Sequence, residues 1–323
     1  MIRRVFLTVL LLTSSLTVNA EQITSDTVRE WLGRVTDAGK NLNYEGTFVY
    51  RHGNDLEAIR IIHKSDENGE RERMISLTGS AREIIRNNKF VTCISPDNKS
   101  VIVDNKTPGT RLPSFPKEFS KLDAFYDFNF EGYERVASRQ ARRVVIKPQD
   151  NFRYGYRLWI DDAFELLLRS ELLDSEGNAI EQIMFTDLKL FESIDEELLQ
   201  PNISGRKFNW VTDDETPHDA PMSVDTRWTV KNKPDGFMLE HHNMHRLPES
   251  NLPVEHLVYT DGLAWVSIYI EKLAPESELL QGSSNMGAVN AYGRIMGQYH
   301  ITAVGEVPAM TVELLSNSVE YTK

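Results

Sequence analysis

Three clustered histidines, two adjacent aspartates and the single cysteine are the groupings in this chain that come nearest to a catalytic or metal-binding pattern. His241, His242 and His245 form the densest ligand-like group. A metal site needs several ligands converging in a defined geometry, and in an extended strand His241 and His242 point to opposite faces, so ordinary strand histidines are expected. Asp161 and Asp162 suggest an acid pair, yet neighbours in a turn do not aim at one target, and their position between two apolar runs is that of a hairpin turn. Cys93 lies between Thr92 and Ile94 without an adjacent His or Lys to lower its pKa, which is the setting of a core cysteine rather than a nucleophile. The chain carries no GxSxG elbow, no phosphate-cradling glycine loop and no HExxH helix. No catalytic residue, metal ligand or cofactor is expected.

The residues that remain informative are those suited to binding. An aromatic-rich stretch from Leu112 to Phe130 interrupts a series of short strand-like runs. A curved antiparallel sheet leaves one concave apolar face, and a helical insert that covers it incompletely creates a pocket for apolar ligands. Phe48, Tyr50, Tyr154, Tyr156, Leu158 and Phe185 from the strands, with Phe115, Phe119 and Phe125 from the cover, are the candidates to line such a pocket, or to fill a solid core if the cover closes fully. The inward side of each strand is not fixed by the sequence. Among the basic residues crowded nearby, Arg139, Arg142, Arg143, Arg153 and Arg157 are candidates to hold an anionic head group, with solvated outward strand positions as the plain alternative. Later in the chain Tyr259, Trp265, Tyr269, Tyr292 and Tyr299 are aromatic anchors for a protein partner, or core aromatics.

The elements that must position these residues follow from periodicity and turn chemistry. Ser25 is expected to cap a helix to about Gly39, with Val28, Trp31, Leu32 and Val35 on one face. An antiparallel meander is expected next, over Tyr44–Arg51, Ala58–Lys64, Arg73–Leu77, Ala81–Arg86 and Phe90–Ser95, resuming after the insert at Tyr133–Ala137, Ala141–Lys147, Tyr154–Ile160, Glu165–Leu173 and Ala179–Thr186. Residues 192–220 carry eight acidic residues against Arg206 and Lys207, with Pro201 and Pro217, and read as an acidic linker. A smaller β-rich unit over 221–323 is expected from strands at Trp228–Lys231, Met238–Arg246, Val254–Thr260, Ala264–Glu271, Arg294–Val304 and Thr311–Ser318, with Gly282–Gly287 as a flexible loop.

Composition bounds the class. With 323 residues, 40% hydrophobic and 26% charged, the chain fits a soluble protein of two domains. Its net charge of -12 opposes a general nucleic-acid binder, whose affinity would come from neutralising phosphates. The start, with Arg3 and Arg4, an apolar run from Val5 to Leu12 and a Val18-Asn19-Ala20 end, reads as a signal peptide over 1–20 cleaved before Glu21. Export with one cysteine implies a soluble periplasmic protein that relies on its core and not on disulfides. The first domain is then expected over 21–191.

The runs Gly132 to Ala137, Arg139, Pro148 to Asp161, Leu166-Leu167-Leu168 and Glu181-Gln182 together resemble the MucB/RseB family, and Leu257 to Ala264 with Gly297 and Val304 to Pro308 resemble its C-terminal half. The resemblance implies a mainly β (α+β) protein: a large unclosed β-barrel capped by helices, like the lipoprotein carriers LolA and LolB, plus a smaller β-sheet domain. It also implies a periplasmic regulator of the envelope-stress sigma factor. Such a regulator binds the periplasmic domain of a single-pass anti-sigma factor of the RseA/MucA type, shields it from proteolysis, and is released by stray lipid or lipopolysaccharide acyl chains. A periplasmic lipid or lipoprotein carrier is the alternative, and assembly as a homo-oligomer is left open. No fixed motif of the family marks the partner-contacting residues here.

Overall fold

The structure, a computed structural model, describes residues 23–88, 90–97, 99–104, 115–116, 119–202, 209–212, 227–246, 253–273 and 279–322. A 17-residue helix, α1 (Ser25–Asn41), opens the described chain, and its apolar positions Val28, Trp31, Leu32 and Val35 are buried as their spacing predicts. Its cap is Thr24 rather than Ser25. The Thr24 hydroxyl accepts from the Thr27 N–H at 3.3 Å, while Ser25 donates to the Phe128 carbonyl and ties the helix to the sheet.

Twelve strands form the large sheet: β1 (Asn43–His52), β2 (Asp55–Asp66), β3 (Gly69–Ser76), β4 (Glu83–Arg86), β5 (Val91–Ser95), β6 (Ser100–Asp104), β7 (Tyr126–Val136), β8 (Arg139–Pro148), β9 (Gly155–Asp161), β10 (Leu167–Leu173), β11 (Ala179–Phe191) and β12 (Asn209–Thr212). Their order is β12-β6-β5-β4-β3-β2-β1-β11-β10-β9-β8-β7, so two meanders are joined where β1 pairs with β11, and β7 and β12 remain as separate edges of an unclosed sheet. Among the described residues only β12 pairs in parallel, with β6. Short connections explain the meander, because antiparallel neighbours need only tight turns. The β7–β8 turn places Ala137 and Ser138 at φ 48 and 64, the backbone twist a two-residue hairpin requires.

Two parts of the large domain differ from the sequence reading. The aromatic stretch is not all cover, because its second half, from Tyr126, is the edge strand β7, leaving Phe115–Phe125 with a 3-10 turn at Ser120–Leu122 as the cover. The acidic segment starts as a packed strap. Ile194 and Leu199 bury against Ile62 on the outer face of β2, the Leu198 carbonyl accepts from buried Arg73, and the Asn202 N–H donates to Glu83, which itself pairs with Arg73 at 3.1 Å. Hydrophobic spacing too short to register as periodic, together with a buried ion pair on the neighbouring strands, holds this strap down. Residues 203–208 and 213–220 lie outside the described residues.

The second domain contains a six-stranded antiparallel sheet of β14 (Met238–Arg246), β15 (Pro253–Thr260), β16 (Trp265–Lys272), β17 (Gly282–Met286), β18 (Val289–Met296) and β19 (Tyr299–Gly305), in the order β14-β15-β16-β19-β18-β17. A small ribbon of β13 (Trp228–Val230) and β20 (Val319–Tyr321) accompanies it. Here three expectations are corrected. Gly282–Gly287 is not a loop but largely β17, paired with β18. Arg294–Val304 is a hairpin, not one strand, folded at Gly297, whose φ of +62 a glycine accepts without strain. Thr311–Ser318 is not a strand but most of α2 (Ala309–Asn317) with its C-cap Ser318, because Val312 and Leu315, three apart, dip into a core with Leu257, Ile268 and Ile301.

Candidate functional site

Strand register decides which of the expected pocket residues share a face. Tyr50 lies opposite Ile183, Ile183 opposite Ser170, Ser170 opposite Leu158, and Leu158 opposite Val144. Phe48 lies opposite both Phe185 and Ile59. Residues directly opposite share a face, as do alternate residues along a strand, so Phe48, Tyr50, Tyr156, Leu158 and Phe185 all point to the side on which α1 packs against Val144, Ile146 and Leu158. Gly46 makes room there: a Cβ would meet the Phe185 ring at 2.9 Å and the Asp187 carbonyl at 2.6 Å. Phe185 therefore sits across β1, edge-on to Phe48 at 5.6 Å.

The cover closes on the same face. Phe115 is fixed to α1 through Thr36, whose hydroxyl donates to its carbonyl at 3.0 Å and accepts from its N–H at 3.2 Å. Its ring packs edge-on to Tyr156, and Phe119 packs edge-on to Phe128. Seven of the nine expected residues therefore converge on one inner apolar face, roofed by α1 and the cover. Beyond the roof this face continues through Ile61, Met74 and Ile84, with a small depression lined by Ile59, Met74, Ser76, Arg82 and Ile84.

Each end of the inner face is polar. At one end Tyr44 stacks on His63 at 4.7 Å, and His63 contacts the Leu42 carbonyl and Glu70, with Glu72 and Arg86 buried on the next strands. Burial pushes the Tyr44 phenol and the Glu72 carboxyl above their ordinary ranges, because the ionised forms lose water there. At the other end the last inward row runs Ile146, Tyr156, Leu172, Glu181 and His52. This row meets the second domain.

Phe125 and Tyr154, the remaining two expected pocket residues, belong to that seam. A Cβ on Gly236 would lie 2.5 Å from the Phe125 ring, and the Tyr154 hydroxyl accepts from Asn290 Nδ2 at 3.1 Å. Burial raises the phenol of Tyr154, and that of Tyr156 more strongly. At the centre of the seam Arg153 is wholly buried. It donates to Asp261 Oδ2 and to the Asp235 carbonyl, both at 2.7 Å, pairs with Asp150, and lies 4.9 to 5.5 Å over the rings of Phe125, Tyr126 and Phe237. The Tyr126 hydroxyl donates to the same Asp261 oxygen, and Thr311 donates to the Phe152 carbonyl.

The arginine group is split by the sheet. Arg142 lies under α1, over the Trp31 ring and paired with Asp162, whereas its neighbour Arg143 points to the opposite face. On that opposite face Arg139 pairs with Asp161, Arg143 with Glu131 and Glu134, and Arg157 with Glu171. Arg153 is corrected outright: it is a buried tie between domains and not a head-group contact, since no surface of its guanidinium is open. The turn aspartates act as expected for a hairpin, Asp161 accepting from the Ala163 and Phe164 N–H groups.

In the second sheet Trp265 and Tyr269 lie on the outer face, 58% and 36% exposed, with Tyr269 stacked on His256. Tyr259, Tyr292 and Tyr299 are corrected to core aromatics: Tyr259 is buried, Tyr292 packs against the same core, and Tyr299 packs edge-on to Trp228. Of the histidines, His241 is exposed and His242 lies 2.8 Å from Glu255, on opposite faces of β14. Among the described residues no three His, Cys, Asp or Glu side chains are grouped to hold a metal, and no helix is long and apolar enough to cross a membrane. The sequence reading gave no role to Asp261, Glu181, Asn290 or Glu306. Asp261 sits in a recognisable Thr260-Asp261-Gly262 turn, but nothing local signals that its carboxylate meets an arginine 108 positions away.

Residues 27–203 match the model of the MucB/RseB N-terminal domain and residues 222–320 that of the MucB/RseB C-terminal domain. The chain is 31% identical over 315 residues to the sigma factor AlgU regulatory protein MucB of Pseudomonas aeruginosa, covering 96% of this chain and 95% of that protein. It is 28% identical over 319 residues to the sigma-E factor regulatory protein RseB of Haemophilus influenzae, with 96% and 95% covered. Its fold is similar to that of crystalline MucB in complex with MucA(peri), with a TM-score of 0.69, 27% identity, and 92% of this chain and 99% of that chain covered. The two domain matches, which together span most of the chain, place it in the MucB/RseB family.

Proposed function

We propose that this chain is a non-enzymatic regulator of a sigma factor that works in the periplasm after removal of a signal peptide. It binds the periplasmic domain of a membrane anti-sigma factor, shields it from regulated proteolysis, and lets go when mislocalised lipid or lipopolysaccharide occupies its large domain. The observation that carries this reading is the likeness over nearly the full chain to proteins named as sigma factor regulators, one of them crystallised with MucA(peri). The domains implied are a large half-barrel over 21–191, a joining segment over 192–220 and a smaller unit over 221–323.

The inner face suits acyl chains. It is apolar in the middle, through Phe48, Ile59, Ile61, Met74 and Phe185, and polar at the ends, the distribution an amphipathic ligand needs. Trp265 and Tyr269, aromatic and exposed on the outer sheet of the second domain, are the anchors we assign to the protein partner. Arg139, Arg143 and Arg157 share the face of the sheet opposite the inner face and are paired there with carboxylates, so no head-group role falls to them.

The same trough would serve a lipid or lipoprotein carrier, so the test separates the two. The purified full chain is mixed with a synthetic anti-sigma periplasmic segment and the site-cleaving protease, with and without long-chain lipid A analogues. A regulator protects the segment, and protection falls as lipid is added. Lipid binding without any protection of the segment would leave the carrier reading in its place.

A further inference from the structure

Register places Tyr44, His63, Glu72 and Arg86 in one row across β1 to β4, each directly opposite the next. All four are buried, and the row lies on the same side of the sheet as Phe48 and Ile61. His63 turns its ring nitrogens to the Leu42 carbonyl at 2.8 Å and to Glu70 at 3.3 Å, so neither is turned to Glu72. Glu72 is 3% exposed, and among the described residues its Oε1 meets no hydrogen-bond partner. A buried polar atom in this state is rare in native structures and costs stability. Burial raises the Glu72 carboxyl above its ordinary range, and the charges of Arg86 and His63 pull it back only in part. An apolar row runs beside the polar one. Met74, two residues along β3 from Glu72, lies opposite Ile84, Ile84 opposite Cys93, and Cys93 opposite Ile102. Exposure rises from 5% at Met74 to 48% at Ile102, so the row leads from the covered part of the trough to solvent. With neighbouring strands about 4.8 Å apart, it spans roughly 14 Å.

We propose that these two rows seat a lipid with a zwitterionic ammonium head group: the ammonium donates to Glu72, the phosphate faces Arg86, and the acyl chain lies along Met74, Ile84, Cys93 and Ile102. This names the head group for the lipid site assigned above to the large domain, and it rests on that reading. The chemistry selects the class. A carboxylate oxygen without a donor is satisfied by an N–H, and a charge-assisted bond of this kind is about twice as strong as a neutral one. A purely anionic head group would set its phosphate against Glu72 as well as Arg86. A fully methylated ammonium brings the charge but has no N–H to donate. Glu72 is covered in the structure, so the head group enters as this end of the trough opens. The carboxyl is then kept at a cost to folding for the sake of binding.

Cys93 is the single cysteine of the chain and is half-buried on the apolar row, so the rate at which a small maleimide modifies it in the full chain reads occupancy of that row. Lysophosphatidylethanolamine and lysophosphatidylcholine with the same myristoyl chain, both below micelle-forming concentration, are the probes, and they differ only in the methyl groups that remove the N–H donors. The ethanolamine lipid should protect Cys93 at a concentration lower by about ten-fold or more. In Glu72→Met, which keeps the side-chain length without the acceptor, the two lipids should protect alike, and the unfolding temperature should rise because a stranded carboxyl is gone. Equal protection by both lipids in the unaltered chain overturns the proposal, as does a preference that survives in Glu72→Met, a fall in the unfolding temperature of that variant, or binding in equilibrium dialysis that leaves Cys93 unprotected. Each of those results leaves lipid binding by the large domain standing. Binding of neither lipid in dialysis would overturn the lipid reading together with the proposal.

Discussion

Replacing Asp261 by Asn tests how strongly the two domains are fastened at Arg153. The substitution keeps an oxygen to accept from the Leu263 and Ala264 N–H groups, so the turn itself survives. It removes the charge that faces Arg153 Nη1 at 2.7 Å with both side chains fully buried, and it turns an amide toward the Tyr126 hydroxyl. Removing one partner of a buried ion pair costs about 3 to 5 kcal/mol, because the remaining charge is stranded. Arg153 is not wholly stranded, since Asp150 and the Asp235 carbonyl still hold it, which puts the expected loss near the lower end, about 3 kcal/mol. Arg153→Met should cost a similar amount by leaving Asp261 buried with only hydrogen bonds. The double variant strands neither charge, so its loss should fall short of the sum by about 2 kcal/mol. Unfolding of a two-domain chain is not two-state. Calorimetry should therefore show the two domain transitions moving apart in each single variant and converging in the double. Losses that add to within about 0.5 kcal/mol would show that these side chains do not act as a pair.

Phe48→Ala removes a fully buried ring from the inner face and should destabilise the large domain by about 3 to 5 kcal/mol while weakening long-chain lipid binding more than short-chain binding, measured by calorimetry and by tryptophan fluorescence titration. Trp265→Ala should leave the melting temperature within experimental error yet weaken the anti-sigma segment by about 2 kcal/mol, roughly thirty-fold in an equilibrium titration. Unchanged affinity would move the partner surface elsewhere. Gly236→Ala drives a methyl into the Phe125 ring at a φ of +87, so it should loosen the seam by about 1 to 3 kcal/mol, seen as faster hydrogen exchange at the Ala288 N–H, which donates to Glu181 across the seam, with the large-domain core unchanged.

The sequence makes α1 and the antiparallel meander legible because their signals are local. Val28, Trp31, Leu32 and Val35 recur at helical spacing, and glycine-rich or Asn-rich turns separate the strands. What it hides is what depends on distant contacts. Two strand errors in the second domain have this cause: Thr311 and Val312 are β-branched and favour a strand, but Pro308 just ahead and the pocket for Val312 and Leu315 make the segment helical. Gly297-Gln298 is too short a signal to announce a hairpin inside an apolar run. β12 joins the sheet by pairing in parallel with β6, across more than 100 positions of chain.

The candidate site divides along the same line. Aromatics alternate in register on β1, β9 and β11, so once the pairing is known Phe48, Tyr50, Tyr156, Leu158 and Phe185 must share a face. The arginines do not behave as a group because adjacent positions on a strand alternate, which sends Arg142 under α1 and Arg143 away from it. Arg153 differs for another reason: it follows the end of β8 and precedes β9, at the point where the large sheet meets the turns of the second domain. A surface arginine and an interdomain tie have the same local sequence. The burial of Asp261, set by the second domain, distinguishes them, and it makes the seam a property of the whole chain that neither domain's sequence could reveal alone.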